Sequence, residues 1–179
     1  MKMSPGLRYF FVFLFSIVLL QAQTKAKVIG VKDGDTVEVL LEGNVPVVLR
    51  LADVDCPEKK QAYGQKAKEF TSQQIFGKTI TYYPTSTDRY GRTIAKIYYN
   101  KKYLSEEIIK AGYGWWYEKY SKAVYLKEVQ NEAKKQKRGL WKDKNPTAPW
   151  EFRKRKSTSK KDTLKTTKIK NSPFVTIGT

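Results

Sequence analysis

No histidine occurs anywhere in this chain, and cysteine occurs once, at Cys56. The first absence excludes every mechanism with an imidazole base and every His-ligated metal. The second excludes a Cys-rich zinc site and an internal disulfide. Acid–base chemistry therefore falls to carboxylate, Lys, Tyr, Cys or bound water. A protein-held metal would be a hard, oxygen-liganded cation: calcium, magnesium or manganese. Long apolar runs are also scarce. The main one is Tyr9 to Leu20, "YFFVFLFSIVLL", broken only by Ser16. It is short for a membrane span and suited to the core of a signal peptide, with Lys2 and Arg8 before it and Ala22 ahead of a cleavage point. Residues 1–22 are expected to be such a peptide, making the protein secreted or periplasmic. The alternative is an uncleaved segment that tethers it to a membrane.

Acidic residues are the scarcer charge: 17 Asp and Glu stand against 35 Lys and Arg, a formal net charge of +18. Such an excess favours polyanionic partners, nucleic acid or an anionic membrane surface, or serves solubility alone. Twelve Tyr and four Trp favour nucleic acid, because exposed aromatics can stack on bases.

Short β-branched runs at 25–32, 36–41 and 45–52, with turn signals "DGD" (Asp33 to Asp35) and "EGN" (Glu42 to Asn44) between them, read as a meander. Arg50 lies in the middle of the third run, where a guanidinium needs a partner or a purpose. A helix is expected at 65–76, with Ala67, Phe70 and Ile75 on its apolar face. Strands follow at 78–83 and 93–99, separated by a polar loop, 84–92, that contains "DRYGR". Two more helices are expected, at 103–110 and from an N-cap at Ser121 to about Lys137, the latter with Leu126, Val129 and Ala133 facing the core. The whole reads as an α+β domain over residues 25–142: a five-stranded OB-type β-barrel with three helices. From 151 to 179 the chain is basic and Ser/Thr-rich without apolar periodicity. A disordered tail is expected there, either phosphate-binding or simply solvated.

The acids that do occur gather at strand ends. "DGD" follows the first strand and "DCPE", Asp55 to Glu58, the third. Each has a plain reading as a turn. In this connectivity, however, strand ends converge at one rim, where such acids could hold an oxygen-liganded cation and Arg50 and Arg92 could grip one phosphate. That combination suits phosphodiester hydrolysis, with a carboxylate orienting or deprotonating the attacking water.

The motifs "DGDTVEV", "LRLADVDCPE", "YGQKAKEF" and "DRYGRTIAKIY", in this order over about 27–141, resemble the staphylococcal nuclease family. The resemblance implies a secreted, calcium-dependent endonuclease that cuts DNA and RNA with little sequence preference and leaves 3′-phosphate ends. It implies calcium held by Asp35, Asp55 and the backbone carbonyl of Cys56. It implies Glu58 as general base, or as the group that positions the water, and Arg50 and Arg92 on the scissile phosphate. Asp33 and Thr36 match positions behind the metal ligands. Arg89 and Tyr90 match a pair on a neighbouring phosphate, and Tyr117 and Tyr120 match tyrosines flanking a nucleotide pocket. The loop between Glu58 and "YG" is shorter than in the family's best-known member. Asp53 receives no role, and Cys56 is expected to be a buried free thiol. DNA and RNA are the partners expected; no stable protein partner, a monomer, and no membrane contact once residues 1–22 are removed complete the reading. A non-catalytic OB-type nucleic-acid-binding module is the alternative, and a membrane-associated basic protein a third.

Overall fold

Residues 23–158 are described by a computed structural model. The expected signal peptide, 1–22, and residues 159–179 of the expected tail lie outside the described residues.

Strands β1 (Thr24–Asp33), β2 (Thr36–Leu40) and β3 (Pro46–Leu51) form the antiparallel meander. Strands β5 (Thr79–Thr87) and β6 (Thr93–Tyr99) form a second hairpin. Pairing of β1 with β5 and of β3 with β6, the latter parallel, closes the five strands into an OB-type barrel. Three two-residue strands complete it. β4 (Val54–Asp55) pairs with β8 (Trp115–Trp116), and β7 (Lys102–Tyr103) extends β6.

The alternation of each strand explains which face is buried. Ala26 and Val28, Val37 and Val39, Leu49 and Leu51, and Ala95 and Ile97 point inward and form the core. Each fully buried Leu, Ile or Val contributes about 1.5–3 kcal/mol. Helix α1 (Gly64–Ile75) lays Ala67, Thr71 and Ile75 against the barrel, one side chain per turn. Helix α2 (Leu104–Lys110) adds Leu104, Ile108 and Ile109, and α3 (Leu126–Lys135) adds Leu126, Gln130 and Ala133.

Three expectations need correction. The fourth expected strand ends at 83, but β5 runs on to Thr87, because its partner β6 offers a ladder as far as Thr93. Ser121 does not cap α3. Its Oγ accepts the N–H of Ala123 in a local turn, and the helix begins at Leu126. A fourth helix, α4, occupies 149–158, so the expected tail is ordered over 151–158. Pro149 suits its first turn, where its missing N–H costs nothing, Glu151 follows, and the basic residues lie further along, as the helix dipole favours. Among the described residues no helix is long and apolar enough to cross a membrane.

The segment leading to α4 is tied to the end of α2. The Gly112 carbonyl accepts the N–H of Leu140, and Leu140 and Trp141 pack with Ala133. Gly112 has φ +75°, and a Cβ there would stand 2.3 Å from the Arg138 carbonyl oxygen. Gly112→Ala is therefore expected to destabilise the protein by about 2–3 kcal/mol, through overpacking and a disfavoured φ. Urea unfolding measures this, and an unchanged midpoint would contradict the packing described.

Candidate active site

Register brings the functional residues to one rim. Thr36 stands opposite Arg50 across β2 and β3, and Arg50 opposite Ile94 across β3 and β6. Asp35 immediately precedes β2 and Arg92 immediately precedes β6, so both belong to the same end of the barrel. Asp55 ends β4 and is held against Trp115.

Arg50 organises this rim. Its Nη1 donates to the carbonyls of Leu51 (2.9 Å) and Val54 (3.0 Å). Its Nη2 lies 3.0 Å from Asp35 Oδ2 and 3.0 Å from Asp55 Oδ1. The two carboxylates thus converge on one nitrogen. Burial alone would lower the Arg50 pKa, but Asp35 and Asp55 outweigh it and hold the guanidinium charged. Asp35 is 6% exposed and Asp55 1% exposed. Burial pushes the Asp35 carboxyl up to about 7. Arg50 pulls against that shift, while Asp33 and Asp55 add to it.

The Asp35 carboxylate also accepts the N–H of Cys56 at 2.6 Å, which fixes it against the β4 exit. This close approach needs Gly34, since a Cβ there would meet Cys56 Cβ at 2.8 Å and Ala67 Cβ at 2.8 Å. Thr71 of α1 donates to the Gly34 carbonyl at 2.6 Å and holds the turn from the other side. The Cys56 thiol is buried and free, and burial, then Asp35, keep it well above the ordinary thiol range; it is protonated and not a nucleophile.

The residues around the acids suit a hard cation. Two buried carboxylates meet at Arg50, and with Glu58 beside them the acids outnumber the two guanidiniums, Arg50 and Arg153, that face them. The donor set is oxygen throughout. Asp35, Asp55 and the Cys56 carbonyl would hold such an ion. Among the described residues no three carboxylate or thiol side chains gather around one point. Guanidiniums stand between them instead.

Glu58 follows Pro57 at the mouth. Its N–H donates to Gln61 Oε1 at 3.1 Å, and its carbonyl accepts the Gln61 N–H at 2.8 Å, so the short loop is a closed turn. Gln61 Nε2 then reaches the Thr147 carbonyl at 2.6 Å and ties this turn to the segment before α4.

Arg92 is not aimed at the acids. Its Nε pairs with Asp88 Oδ2 at 2.7 Å, and Nη1 makes a longer contact with Thr36 Oγ1 at 3.3 Å. Partial desolvation would raise the Asp88 carboxyl, but the N–H and guanidinium of Arg92 and the Tyr90 N–H hold it below its usual range. Arg89 and Tyr90 sit further out, with Arg89 Nη2 2.6 Å from the Tyr90 hydroxyl and Tyr90 exposed. Tyr117 and Tyr120 meet edge to face, 4.8 Å between centroids, beside Asp55.

Four contributors escaped the sequence reading. Trp150 of α4 lies parallel to Tyr117, and Arg153 of the same helix reaches Asp55 and Glu58. Gln61 clamps the Glu58 turn. Asp53, left without a role, has φ +66° and accepts the Tyr103 hydroxyl at 2.7 Å, so it fixes the bend between β3 and β4. The available signal for α4 was "APWEFR", a proline followed by two aromatics and a helix-forming run.

A family model described as staphylococcal nuclease homologue matches residues 48–143. An uncharacterized endonuclease of Escherichia coli O157:H7 is 40% identical over 145 residues, which span 80% of this chain and 94% of that protein. An uncharacterized endonuclease of Haemophilus influenzae is 39% identical over 127 residues, 71% of each chain. A micrococcal nuclease of Shigella flexneri is 32% identical over 143 residues, 74% of this chain and 82% of its own.

Replacing Arg50 strands Asp35 and leaves Asp55 to Arg153 alone. Arg50→Met is expected to cost about 3–5 kcal/mol of stability in a calcium-free buffer, the range for breaking one side of a buried ion pair. Chemical denaturation tests it, and a loss below about 1 kcal/mol would contradict the arrangement.

Proposed function

This chain belongs to the staphylococcal nuclease homologue family, and from that premise we propose that it is a calcium-dependent endonuclease. It would hydrolyse DNA and RNA with little sequence preference and leave 3′-phosphate ends. The observation that carries this reading is the convergence of Asp35 and Asp55 on one nitrogen of Arg50, with Glu58 three residues beyond Asp55 at the solvent edge of the rim.

Asp35, Asp55 and the Cys56 carbonyl would hold the cation. Calcium, when bound, offsets the negative charge that builds on the phosphoryl oxygens. Glu58 orients a water and accepts its proton as the water oxygen attacks phosphorus. The bond from phosphorus to the 5′ oxygen breaks, and that oxygen leaves as a hydroxyl, taking its proton from solvent water. Arg50 would reach the phosphate from the floor of the rim by exchanging part of its Asp35 and Asp55 contact. Arg92, held by Asp88 beside Thr36, approaches from the β5–β6 loop, and exchanging part of its Asp88 contact for a phosphate oxygen would bring it onto the substrate. Arg89 and Tyr90 meet the neighbouring phosphate, while Tyr117 and Tyr120 border the base. The chain's positive charge makes binding salt-sensitive and steers the polyanion to the rim.

The same reading places the protein outside the cytoplasm, by way of the segment 1–22. It acts as a monomer on nucleic acid.

The test is cleavage of single-stranded DNA by the mature chain, with calcium or with a chelator, alongside Glu58→Ala. The expected result is calcium-dependent cleavage that falls by about 10²–10⁴-fold in Glu58→Ala, the span for loss of a general base, while DNA binding persists. A folded chain that binds DNA but never cuts it in calcium would favour the non-catalytic binding module.

A further inference from the structure

Helix α4 carries a basic side chain into the site from a part of the chain expected to be a disordered tail. Arg153 Nη2 lies 2.8 Å from Asp55 Oδ2. Its Nη1 lies 2.7 Å from Glu58 Oε1 and 3.3 Å from Asp55 Oδ1. One guanidinium therefore engages both oxygens of Asp55 and an oxygen of Glu58 together. The Arg153 side chain is 42% exposed, whereas that of Asp55 is 2% exposed, so the arginine covers Asp55 from the solvent side.

This position is built and not incidental. Trp150, one turn before Arg153, lies parallel to Tyr117 at 5.8 Å and edge to face with Trp115 at 5.6 Å. Upstream, the Gln61–Thr147 hydrogen bond fixes the approach of the segment to the Glu58 turn. The helix is thus anchored by aromatic packing on one side and by the catalytic turn on the other. Burial would lower the Arg153 pKa, but the hydrogen bonds it donates to Asp55 and Glu58 outweigh that and keep the side chain charged.

A calcium ion on Asp55 needs a carboxylate oxygen at about 2.3–2.6 Å. Asp55 Oδ1 already receives Arg50 and Arg153, and Oδ2 receives Arg153. A guanidinium and a divalent cation at the same carboxylate face repel each other and claim the same lone pairs. Glu58 cannot offer the engaged oxygen to a water either.

We propose that Arg153 is an intramolecular competitor of the metal: α4 parks a guanidinium on Asp55 and Glu58, and loading of the site requires that side chain to leave. The proposal rests on the calcium reading above. Its consequence is a site whose carboxylates remain charge-compensated without metal and which loads only above a calcium threshold set by Arg153. The exposure of the side chain gives it room to swing out while Trp150 keeps the helix in place.

Isothermal titration of calcium into the full mature chain tests this, comparing wild type with Arg153→Gln, Arg153→Lys and Arg155→Gln. Arg155 is exposed and pairs with no carboxylate among the described residues, so its replacement removes the same charge without the contact. Arg153→Gln is expected to tighten calcium binding about fivefold or more, the lower range of a coupling between sites. It should also lower the thermal midpoint in chelator and recover it in calcium. Arg155→Gln is expected to change affinity less than about twofold, the scale of a screened surface charge. Arg153→Lys, which keeps the charge but loses the two-armed grip, should tighten binding by a smaller factor and stands in if the Gln variant does not fold. Unchanged or weaker affinity in both Arg153 variants overturns the proposal, as does an equal gain in Arg155→Gln. If wild type cuts DNA in calcium while its affinity is indifferent to Arg153, only this proposal falls. If neither wild type nor Arg153→Gln binds calcium or cuts, the nuclease reading falls with it.

Discussion

One buried guanidinium governs this rim. Arg50 spends one nitrogen on the Leu51 and Val54 carbonyls and the other on Asp35 and Asp55. The first pair of contacts closes the bend between β3 and β4. The second lets two carboxylates exist in a place where either alone would be costly to bury. The bend is completed by Ser105, whose hydroxyl donates to the Ala52 carbonyl, and by Tyr103, whose hydroxyl donates to Asp53. Removing the guanidinium would release the strand end and Asp35 together and leave Asp55 to Arg153. Stability and chemistry at this end of the barrel are therefore the same problem, solved by one side chain.

The barrel itself was legible because its signals are local. Alternation in β2 and β6, turn residues at Asp33–Asp35, and spacing in α1 each point the same way, and the tertiary structure agrees with them. The acids were legible for a related reason. Asp55 and Glu58 follow directly from an apolar strand, where charge needs an explanation. The parts that escaped depend on contacts distant in sequence. Helix α4 has no apolar periodicity of its own and is ordered by Trp150 on Tyr117 and by Arg153 on Asp55, partners more than thirty and more than ninety residues away. Ser121 shows the converse failure: a good local cap signal was used for a turn, and α3 starts where Leu126 can be buried.

The orientation of Arg92 could not be read from its motif. The same "DRYGR" that supplies it also supplies Asp88, which accepts its Nε and its backbone N–H. Such a brace holds the arginine near the rim without committing it to the acids. Arg50 and Arg92 are thus prepared differently: one is locked in the floor of the site, the other is held at its side by an exchangeable partner. An incoming phosphodiester, itself an anion, would compete with Asp88 for Arg92 and with the carboxylates for Arg50. On the calcium reading, a bound cation would offset the site's negative charge and favour that exchange.

The most direct measurement is a crystal structure of the protein grown with calcium and a short single-stranded oligonucleotide, using Glu58→Gln to preserve the substrate. The account predicts one calcium ion at about 2.3–2.6 Å from oxygens of Asp35 and Asp55, the Cys56 carbonyl on the same ion, and both Arg50 and Arg92 on one phosphate. A calcium ion bound elsewhere, with Asp35 and Asp55 still sharing Arg50 and the phosphates lying off this rim, would contradict it.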